Sequence, residues 1–263
     1  MPNLSSTLTT VRIAACQLHI TGEYTQAFNS IDTALAQAAF HNADIAVFPE
    51  TTLYGWLNPA AHQLADPIPG QTTQRLAQLA RKHKLMIAIG LAEREGNLLY
   101  DSAVLLDSNG ELLLRHRKIN ILTELMEPAY SPGNNAKDSV VTTRFGRIGM
   151  LICADTFPDE IVAEIAANHP DLVLVPYGWA APLKDWPEHG NSLHSWVAHT
   201  ARRVDAPFVG VDATGTIEHG PWTGFLFGGQ SLACDANGEI IGILADREAE
   251  VRVFEVELNR PNP

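Results

Sequence analysis

Short apolar runs rich in valine and isoleucine alternate along this chain with segments whose apolar residues recur every three or four positions. The run VRIAACQLHI, at residues 11–20, is followed by Ala27, Ile31 and Leu35 at the spacing of a helix face. Further apolar runs are DIAVFPE, MIAIGLAERE, IGMLI, LVLVPYG and FVGVDATG. Strands that alternate with amphipathic helices are typical of layered α/β folds. The alternation therefore predicts helices packed over a mixed β-sheet.

Two Asn-Gly pairs interrupt this alternation. Asn109-Gly110 separates NLLYDSAVLLD from GELLLRHRK, and Asn237-Gly238 lies inside GGQSLACDANGEIIGIL. An Asn-Gly pair between apolar runs is a strong hairpin signal, because both residues tolerate a positive φ. We therefore expect antiparallel strand pairs at these two points.

The chain has no tandem repeat, low-complexity tract or linker-like segment. Its 263 residues, 46% of them hydrophobic, are enough to bury a substantial core. We expect a flexible N-terminal segment at residues 1–10 and a single domain over residues 11–263.

The charge of the chain restricts its partners. Its 30 acidic and 18 basic residues give a formal net charge of −12, which disfavours nucleic acids and anionic membrane surfaces. No run approaches the roughly 20 apolar residues of a membrane-spanning helix, and the opening segment MPNLSSTLTT lacks the parts of a secretory signal. Three widely spaced cysteines form no disulfide framework or zinc pattern. We expect a soluble, cytoplasmic protein.

Cys153 lies where the apolar run IGMLI gives way to polar residues. Pro158 suits the first turn of a following helix, and Thr156 is a candidate cap for it. A thiol between a strand and a helix lies where α/β proteins often place reactive groups. The helix dipole favours a thiolate and a lowered thiol pKa, although Asp155 opposes this. The alternative is that Cys153 only packs, which is the interpretation we give to Cys16 and Cys234 inside strand patterns.

A nucleophilic thiol needs a base, and the ten histidines form no motif. Most of them, His116 included, lie in polar segments typical of solvated side chains. Glu50 instead ends the apolar run IAVFP, where partial removal from water suits a general base. Lys118 ends the run LLLRHRK and is either part of a solvated basic edge or a buried cation paired with a carboxylate.

Taken together, Glu50, Lys118 and Cys153 give the chain a resemblance to the nitrilase superfamily of carbon-nitrogen hydrolases, whose triad is Glu, Lys and Cys. The resemblance covers almost the whole chain, in five segments that occur in the family's order. These are FPETTLYGW, HRKIN, GRIGMLICAD, ARRVDAPFVGVDATG and GGQSLACDANGEIIGIL. It implies an α/β fold of the αββα sandwich type, with mixed sheets covered by helices. It also implies a homo-oligomer, a dimer or larger, with no metal or organic cofactor.

This sequence departs from the family pattern in two places. The residue after the cysteine is commonly aromatic in the family and is Ala154 here, and the Phe-Pro that follows is one position closer to the cysteine. Many members also carry a second glutamate shortly before a Pro-Gly. The resemblance assigns that position to Glu127, one residue short of the usual spacing, with Glu124 as the alternative.

The resemblance implies that Glu50 takes the thiol proton while Cys153 attacks a small amide or ureido substrate to form a thioester. Lys118 and the Ala154 amide would stabilise the negative charge that develops. Four aromatic residues are candidates for the substrate pocket: Trp56, Tyr177, Trp179 and Trp222. The alternatives are nitrile hydrolysis, acyl transfer through the same intermediate, a different thiol enzyme, or a catalytically silent interaction protein of this fold.

Overall fold

Two six-stranded β-sheets form the centre of the protein in the computed structural model, which describes residues 7–122 and 129–260. The first sheet contains, in spatial order, β15 (Glu250–Arg260), β1 (Thr7–Gln17), β2 (Ile45–Val47), β3 (Met86–Glu95), β4 (Leu98–Leu106) and β5 (Leu112–Arg117). The second contains β14 (Ile240–Ile243), β13 (Leu232–Cys234), β10 (Phe208–Val211), β8 (Leu172–Pro176), β7 (Gly146–Met150) and β6 (Val140–Thr143). A small third sheet contains β11 (Thr214–Thr216), β12 (Leu226–Gly228) and β9 (Ala180–Ala181).

Both large sheets are mixed, as the sequence predicted. Strands β1, β2 and β3 run parallel to one another, and so do β7, β8 and β10. The other pairs in these two sheets are antiparallel. The parallel strands at the centre bring several carboxyl strand ends to one edge of each sheet, which is where α/β proteins commonly bind ligands.

The helices cover the outer faces of the two sheets. They are α1 (Tyr24–Phe40), α2 (Ala61–Leu64), α3 (Gln71–His83), α4 (Asp159–Ala166) and α5 (Glu188–Val204). Helices α1 and α3 pack on the first sheet, and α5 packs on the second beside α4. Within the described ranges no helix is both long and apolar enough to cross a bilayer. The order of layers is therefore helix, sheet, sheet, helix, and the predicted αββα sandwich is confirmed.

Alternate residues of β1 belong to different layers of the core. Ile13 and Ala15 join the apolar cluster shared with the second sheet, whereas Ala14 and Cys16 join the cluster beneath α1 and α3. All four are fully buried, because successive side chains of a strand point to opposite faces. Burying one isoleucine of this kind contributes about 1.5–3 kcal/mol to stability. The two-residue alternation is thus what joins the sheets to each other and to their helices.

Both Asn-Gly pairs form the predicted hairpin turns. Asn109-Gly110 connects β4 to β5, and the Asp107 side chain accepts hydrogen bonds from the backbone N–H groups of Asn109 and Glu111, each at 2.8 Å. Gly110 has a φ of 79°, and Gly238 in the turn between β13 and β14 has a φ of 76°. Such backbone conformations favour glycine.

The structure differs from the sequence-based expectations at two points of chain geometry. Strand β1 begins at Thr7, inside the segment expected to be flexible, and there it pairs with Arg260 of β15. Thr156 does not cap α4, whose N-cap position is occupied by Pro158. The Thr156 hydroxyl instead donates to the Cys153 carbonyl at 2.8 Å, because a short 3₁₀ turn (Cys153–Thr156) separates β7 from α4.

Candidate active site

The side chains of Glu50, Lys118 and Cys153 come together between the two sheets. Each follows the carboxyl end of a strand: Glu50 lies after β2, Lys118 directly after β5, and Cys153 after β7. The Lys118 Nζ donates to Glu50 Oε1 at 2.5 Å, and both residues act electrostatically on the Cys153 thiol. The three residues are 2%, 3% and 7% exposed, respectively. The buried alternative for Lys118 is therefore the one that the structure adopts.

Two glycines allow Glu50 to occupy its position. A Cβ on Gly90 of β3 would lie 2.6 Å from the Glu50 Cα, and a Cβ on Gly178 would lie 2.7 Å from Glu50 Oε2. Contacts this short do not occur in folded proteins, so neither position accepts a side chain without movement of its neighbours. The Glu50 backbone N–H also donates to the Tyr177 carbonyl at 3.2 Å, which joins the loop after β2 to the end of β8.

Lys118 faces two carboxyl groups. Its Nζ lies 3.5 Å from Asp101 Oδ2 in addition to the bond with Glu50. Burial alone lowers the pKa of Lys118, but the charges of Glu50 and Asp101 outweigh burial and raise it, so the ammonium stays charged. One buried ammonium neutralises only one carboxylate. Burial and the charge of Glu50 accordingly raise the pKa of Asp101, which favours its neutral form.

The Asp101 carboxyl belongs to a group of buried polar atoms beside Lys118. Neither Asp101 oxygen has a hydrogen-bond partner within the described ranges, and the same holds for Glu50 Oε2 and the Tyr130 hydroxyl. Since Oε1 is the atom that holds Lys118, Oε2 is the Glu50 oxygen left available for a proton.

Cys153 begins a 3₁₀ turn with a φ of 41°, a left-handed conformation that costs a non-glycine residue about 1–3 kcal/mol. The side chain of Asp155, two residues further along, holds this turn in place. Its Oδ1 accepts from the backbone N–H groups of Ile119 and Asn120, each at 2.8 Å. Its Oδ2 lies 2.7 Å from His116 Nε2 and accepts from the Ile152 N–H at 3.3 Å.

The Asp155 carboxylate therefore connects the segments that carry Lys118 and Cys153. His116 lies in β5 two residues before Lys118, and its Nδ1 lies 2.7 Å from the Ser139 hydroxyl. The Asn120 side chain adds a bond to the Ala154 carbonyl at 2.8 Å. His116, Asp155 and Ser139 are each at most 2% exposed. Charge-assisted hydrogen bonds in such surroundings are stronger than neutral ones, so this network fixes the distance between the ammonium and the sulfur.

The expected lowering of the Cys153 pKa is wrong. Burial and the charge of Glu50 raise the pKa of the thiol well above its ordinary value, while Lys118 and a hydrogen bond from the Gly178 amide only partly oppose this. Helix α4 begins at Asp159, so the rest of the 3₁₀ turn, Phe157 and Pro158 separate Cys153 from the helix in the chain. The sulfur is consequently a neutral thiol at pH 7 and requires a base.

A cavity of about 190 Å³ opens above Cys153. Lys118, Cys153, Ala154 and Gly178 contribute to one side of its surface. Its other walls are apolar or aromatic and consist mainly of Trp56, Leu122, Phe157, Trp179, Ala180 and Trp222, with His189 beside them. The cavity is thus small, largely apolar and in direct contact with the thiol.

Three of the four predicted pocket aromatics line this cavity, namely Trp56, Trp179 and Trp222. Tyr177 does not, and its assignment to the pocket wall is wrong. It is fully buried, its ring packs edge-on against Trp179 at 6.2 Å, and its hydroxyl donates to Thr156 Oγ1 at 3.4 Å. The apolar run of β8 continues to this residue, so its side chain lies behind the wall. The assigned Glu127 and its alternative Glu124 lie outside the described residues.

Several site residues were missed in the sequence. Gly90 interrupts the strand pattern MIAIGLA, which is a known sign of close backbone approach. His116 was interpreted as solvated because two arginines flank it. In a strand, however, its neighbours point to the opposite face, and this alternation could have identified it as buried. Asp101 similarly lies inside the apolar run of β4, where a carboxyl group is unusual.

Comparisons with known proteins bear on the family and the fold of this chain. The family model for carbon-nitrogen hydrolase matches residues 12–261. Among curated relatives, an (R)-stereoselective amidase from Pseudomonas sp is 29% identical over 220 residues, which cover 83% of this chain and 75% of the relative. A nitrilase from Pyrococcus abyssi is 26% identical over 236 residues, 88% of this chain and 83% of the relative.

Solved structures share the fold. A carbon-nitrogen hydrolase from Helicobacter pylori G27 superimposes with a TM-score of 0.82 at 19% identity, covering 94% of this chain and 89% of that one. An amidase from Nesterenkonia sp. superimposes with a TM-score of 0.79 at 23% identity, covering 93% of this chain and 89% of that one.

Proposed function

Because this chain belongs to the carbon-nitrogen hydrolase family, we propose that it hydrolyses a small amide through a thioester formed on Cys153. Members of the family are hydrolases of carbon–nitrogen bonds other than peptide bonds, and the relatives indicate amides or nitriles as the substrate class. The observation that carries the proposal is the buried Glu50–Lys118 pair beside a thiol at the base of a cavity.

The first half-reaction uses Glu50 as a base. Its Oε2 lies beside Gly178, the residue whose amide donates to the Cys153 sulfur, and this oxygen has no hydrogen-bond partner within the described ranges. As the sulfur attacks the amide carbon, its proton passes to this oxygen, and the carbonyl oxygen becomes an oxyanion. General-base catalysis of this kind contributes about 10²–10⁴-fold to the rate.

Lys118 and the Ala154 amide stabilise the oxyanion. The Lys118 ammonium is already desolvated and held by Glu50, so it does not reorganise when the negative charge appears. Removing one donor of this type from an oxyanion site costs about 10²–10³-fold in kcat. The tetrahedral intermediate collapses when the carbon–nitrogen bond breaks, Glu50 gives its proton to the nitrogen, and ammonia or an amine leaves with the thioester remaining on Cys153.

The second half-reaction reverses the roles. Glu50 takes a proton from a water molecule that attacks the thioester, the carbon–sulfur bond breaks, and the thiolate regains the proton from Glu50. One carboxyl group thus serves as base, acid and base again. We assign the orientation of Lys118 or of this water to Glu127, with Glu124 as the alternative.

Nitrile hydrolysis is the second candidate, because one of the relatives is a nitrilase. Attack on a nitrile carbon would give a thioimidate, which takes up water and loses ammonia to reach the same thioester. Acyl transfer would differ only in the acceptor, with an amine in place of water.

Ammonia release from a panel of primary amides, ureido acids and nitriles tests the proposal. We expect amides to be hydrolysed, Cys153→Ala to abolish release, and Glu50→Gln to prevent an acyl adduct in the intact mass spectrum. Cys234→Ala is the matched control, since it removes a buried thiol from β13 outside the site. Added hydroxylamine detects acyl transfer as a hydroxamate product. No release from any compound would favour a silent protein, and release from nitriles alone would favour the second candidate.

A further inference from the structure

The walls of the cavity above Cys153 are dominated by aromatic rings. Trp56 and Trp222 meet edge-on with their centroids 4.8 Å apart, and Phe157 meets Trp179 edge-on at 5.9 Å. The Trp179 ring also stacks on His189 at 5.1 Å, and its indole N–H donates to the His189 carbonyl at 3.1 Å. The walls are therefore held in place before a substrate enters.

The volume of the cavity limits what can fill it. It measures about 190 Å³, and an apolar cavity of about 150 Å³ in another protein accommodates benzene. One six-membered ring joined to an amide therefore fits inside it, whereas a second ring would extend out through its open side. Packing a ring against tryptophan and phenylalanine edges and faces is favourable in its own right.

The described residues that line the cavity offer no charged group free to pair with a charged substrate. Among the described residues that line it, only Lys118 and His189 can carry a positive charge. Lys118 is held by Glu50 and Asp101, and the proposed mechanism uses its charge for the oxyanion at the reacting carbon, so it is not free to pair with a second anionic group. Burial lowers the pKa of His189 below its ordinary value, against a weaker opposite effect of Asp185, so this ring is neutral at pH 7. A substrate carboxylate would enter the cavity without a partner, which proteins avoid.

We propose that the substrate is an uncharged primary amide whose acyl group carries a single aromatic ring, and that Trp222 and Trp179 select this ring. This inference rests on the proposed amidase function. It separates the protein from enzymes that act on N-carbamoyl amino acids or on amides of dicarboxylic acids, because those substrates carry a carboxylate near the reacting carbon.

Rates of ammonia release from phenylacetamide, propionamide and succinamate test the proposal in the wild-type protein. We expect kcat/KM for phenylacetamide to exceed that for succinamate by at least about 100-fold, because succinamate would bury an unpaired carboxylate. Equal or faster hydrolysis of succinamate would overturn the proposal while leaving the amidase function intact. Hydrolysis of propionamide in preference to phenylacetamide would also overturn it.

Two pairs of variants examine the walls. Trp222→Ala should lower the ratio of phenylacetamide to propionamide kcat/KM by about 10-fold or more, since it removes a ring contact. Phe225→Ala is the control, because Phe225 packs on Trp222 but does not line the cavity.

Leu122→Arg places a cation at the partly exposed rim and should raise kcat/KM for succinamate by at least about 10-fold. Leu122→Gln should produce no such rise, and an equal rise in both variants would contradict the charge argument.

Binding to Cys153→Ala separates this inference from the proposed function. Calorimetry with this variant reports affinity even if the wild-type protein hydrolyses no amide. Tighter binding of phenylacetamide than of succinamate would support the substrate class. Equal affinities, or tighter binding of succinamate, would overturn it.

Discussion

Asp155→Asn tests whether the carboxylate that joins the two catalytic segments is needed for both stability and rate. In the structure Asp155 lies within hydrogen-bond distance of four groups: the Ile119 and Asn120 amides, the His116 ring and the Ile152 amide. Asparagine keeps an oxygen for the first two. Its NH₂ group then faces His116 Nε2 and the Ile152 N–H, so His116 must change tautomer and the Ile152 N–H loses its partner.

The expected cost follows from these contacts. Hydrogen bonds to a charged group contribute about 1.5–3 kcal/mol, against about 0.5–1.5 for neutral ones, and a buried donor without a partner costs about 1–3 kcal/mol. Together these changes predict a loss of about 2–4 kcal/mol in the free energy of unfolding, which lowers Tm by roughly 5–15 °C for a protein of this size. If the sulfur and the ammonium separate by about 1 Å, kcat/KM falls by about 100-fold.

Thermal unfolding followed by circular dichroism gives Tm, and ammonia release well below that temperature gives kcat/KM. Asp159→Asn is the control, because Asp159 pairs with Arg203 at 2.9 Å on the surface and should change stability by less than about 1 kcal/mol. If Asp155→Asn unfolds at the wild-type temperature and keeps the full rate, the network does not position the site.

Three further outcomes are expected. Ultraviolet titration of the native protein should show no Cys153 thiolate below about pH 9, because the pKa of this thiol is raised and the neutral form persists to higher pH. A step in thiolate absorbance near pH 7 that disappears in Cys153→Ala would contradict this. Gly178→Ala should lower kcat by about 100-fold, because the added methyl would lie 2.7 Å from Glu50 Oε2, and an unchanged kcat would show that Glu50 can move freely. Asp101→Asn should keep the fold and lower kcat/KM by no more than about tenfold at pH 7, because the raised pKa of Asp101 already favours a neutral carboxyl. A loss of 100-fold or more in steady-state assays would instead require an ionised Asp101.

The layer order and both hairpins could be predicted because their signals are local. Asn109-Gly110 determines a turn within a few residues, and the alternation of β1 identifies two buried faces without reference to any other segment. The proximity of Glu50, Lys118 and Cys153 followed from the resemblance and from their positions at strand ends. Their roles in catalysis stay a prediction.

The features that were missed depend on contacts between distant segments. Threonine is a residue type that often caps helices. The Thr156 hydroxyl instead donates to the Cys153 carbonyl, within a short turn that the sequence pattern did not predict. The pKa of Cys153 could not be predicted from its own segment, because burial and the charge of Glu50, which raise it, come from parts of the chain that are distant in sequence. Likewise, Tyr177 and Trp179 both follow an apolar strand. Only their packing in the structure shows that Trp179 lines the cavity and Tyr177 does not.

The pairing of β1 with β15 along their full lengths has a consequence for how the protein is made. These strands come from opposite ends of the described chain, in a register that runs from Thr7 with Arg260 to Gln17 with Glu250. During synthesis, one edge of β1 therefore stays unpaired until β15 has been made. An unpaired strand edge favours misassociation between nascent chains. Deleting residues 250–260 should leave that edge permanently open, so shortened forms should be recovered mainly as aggregates.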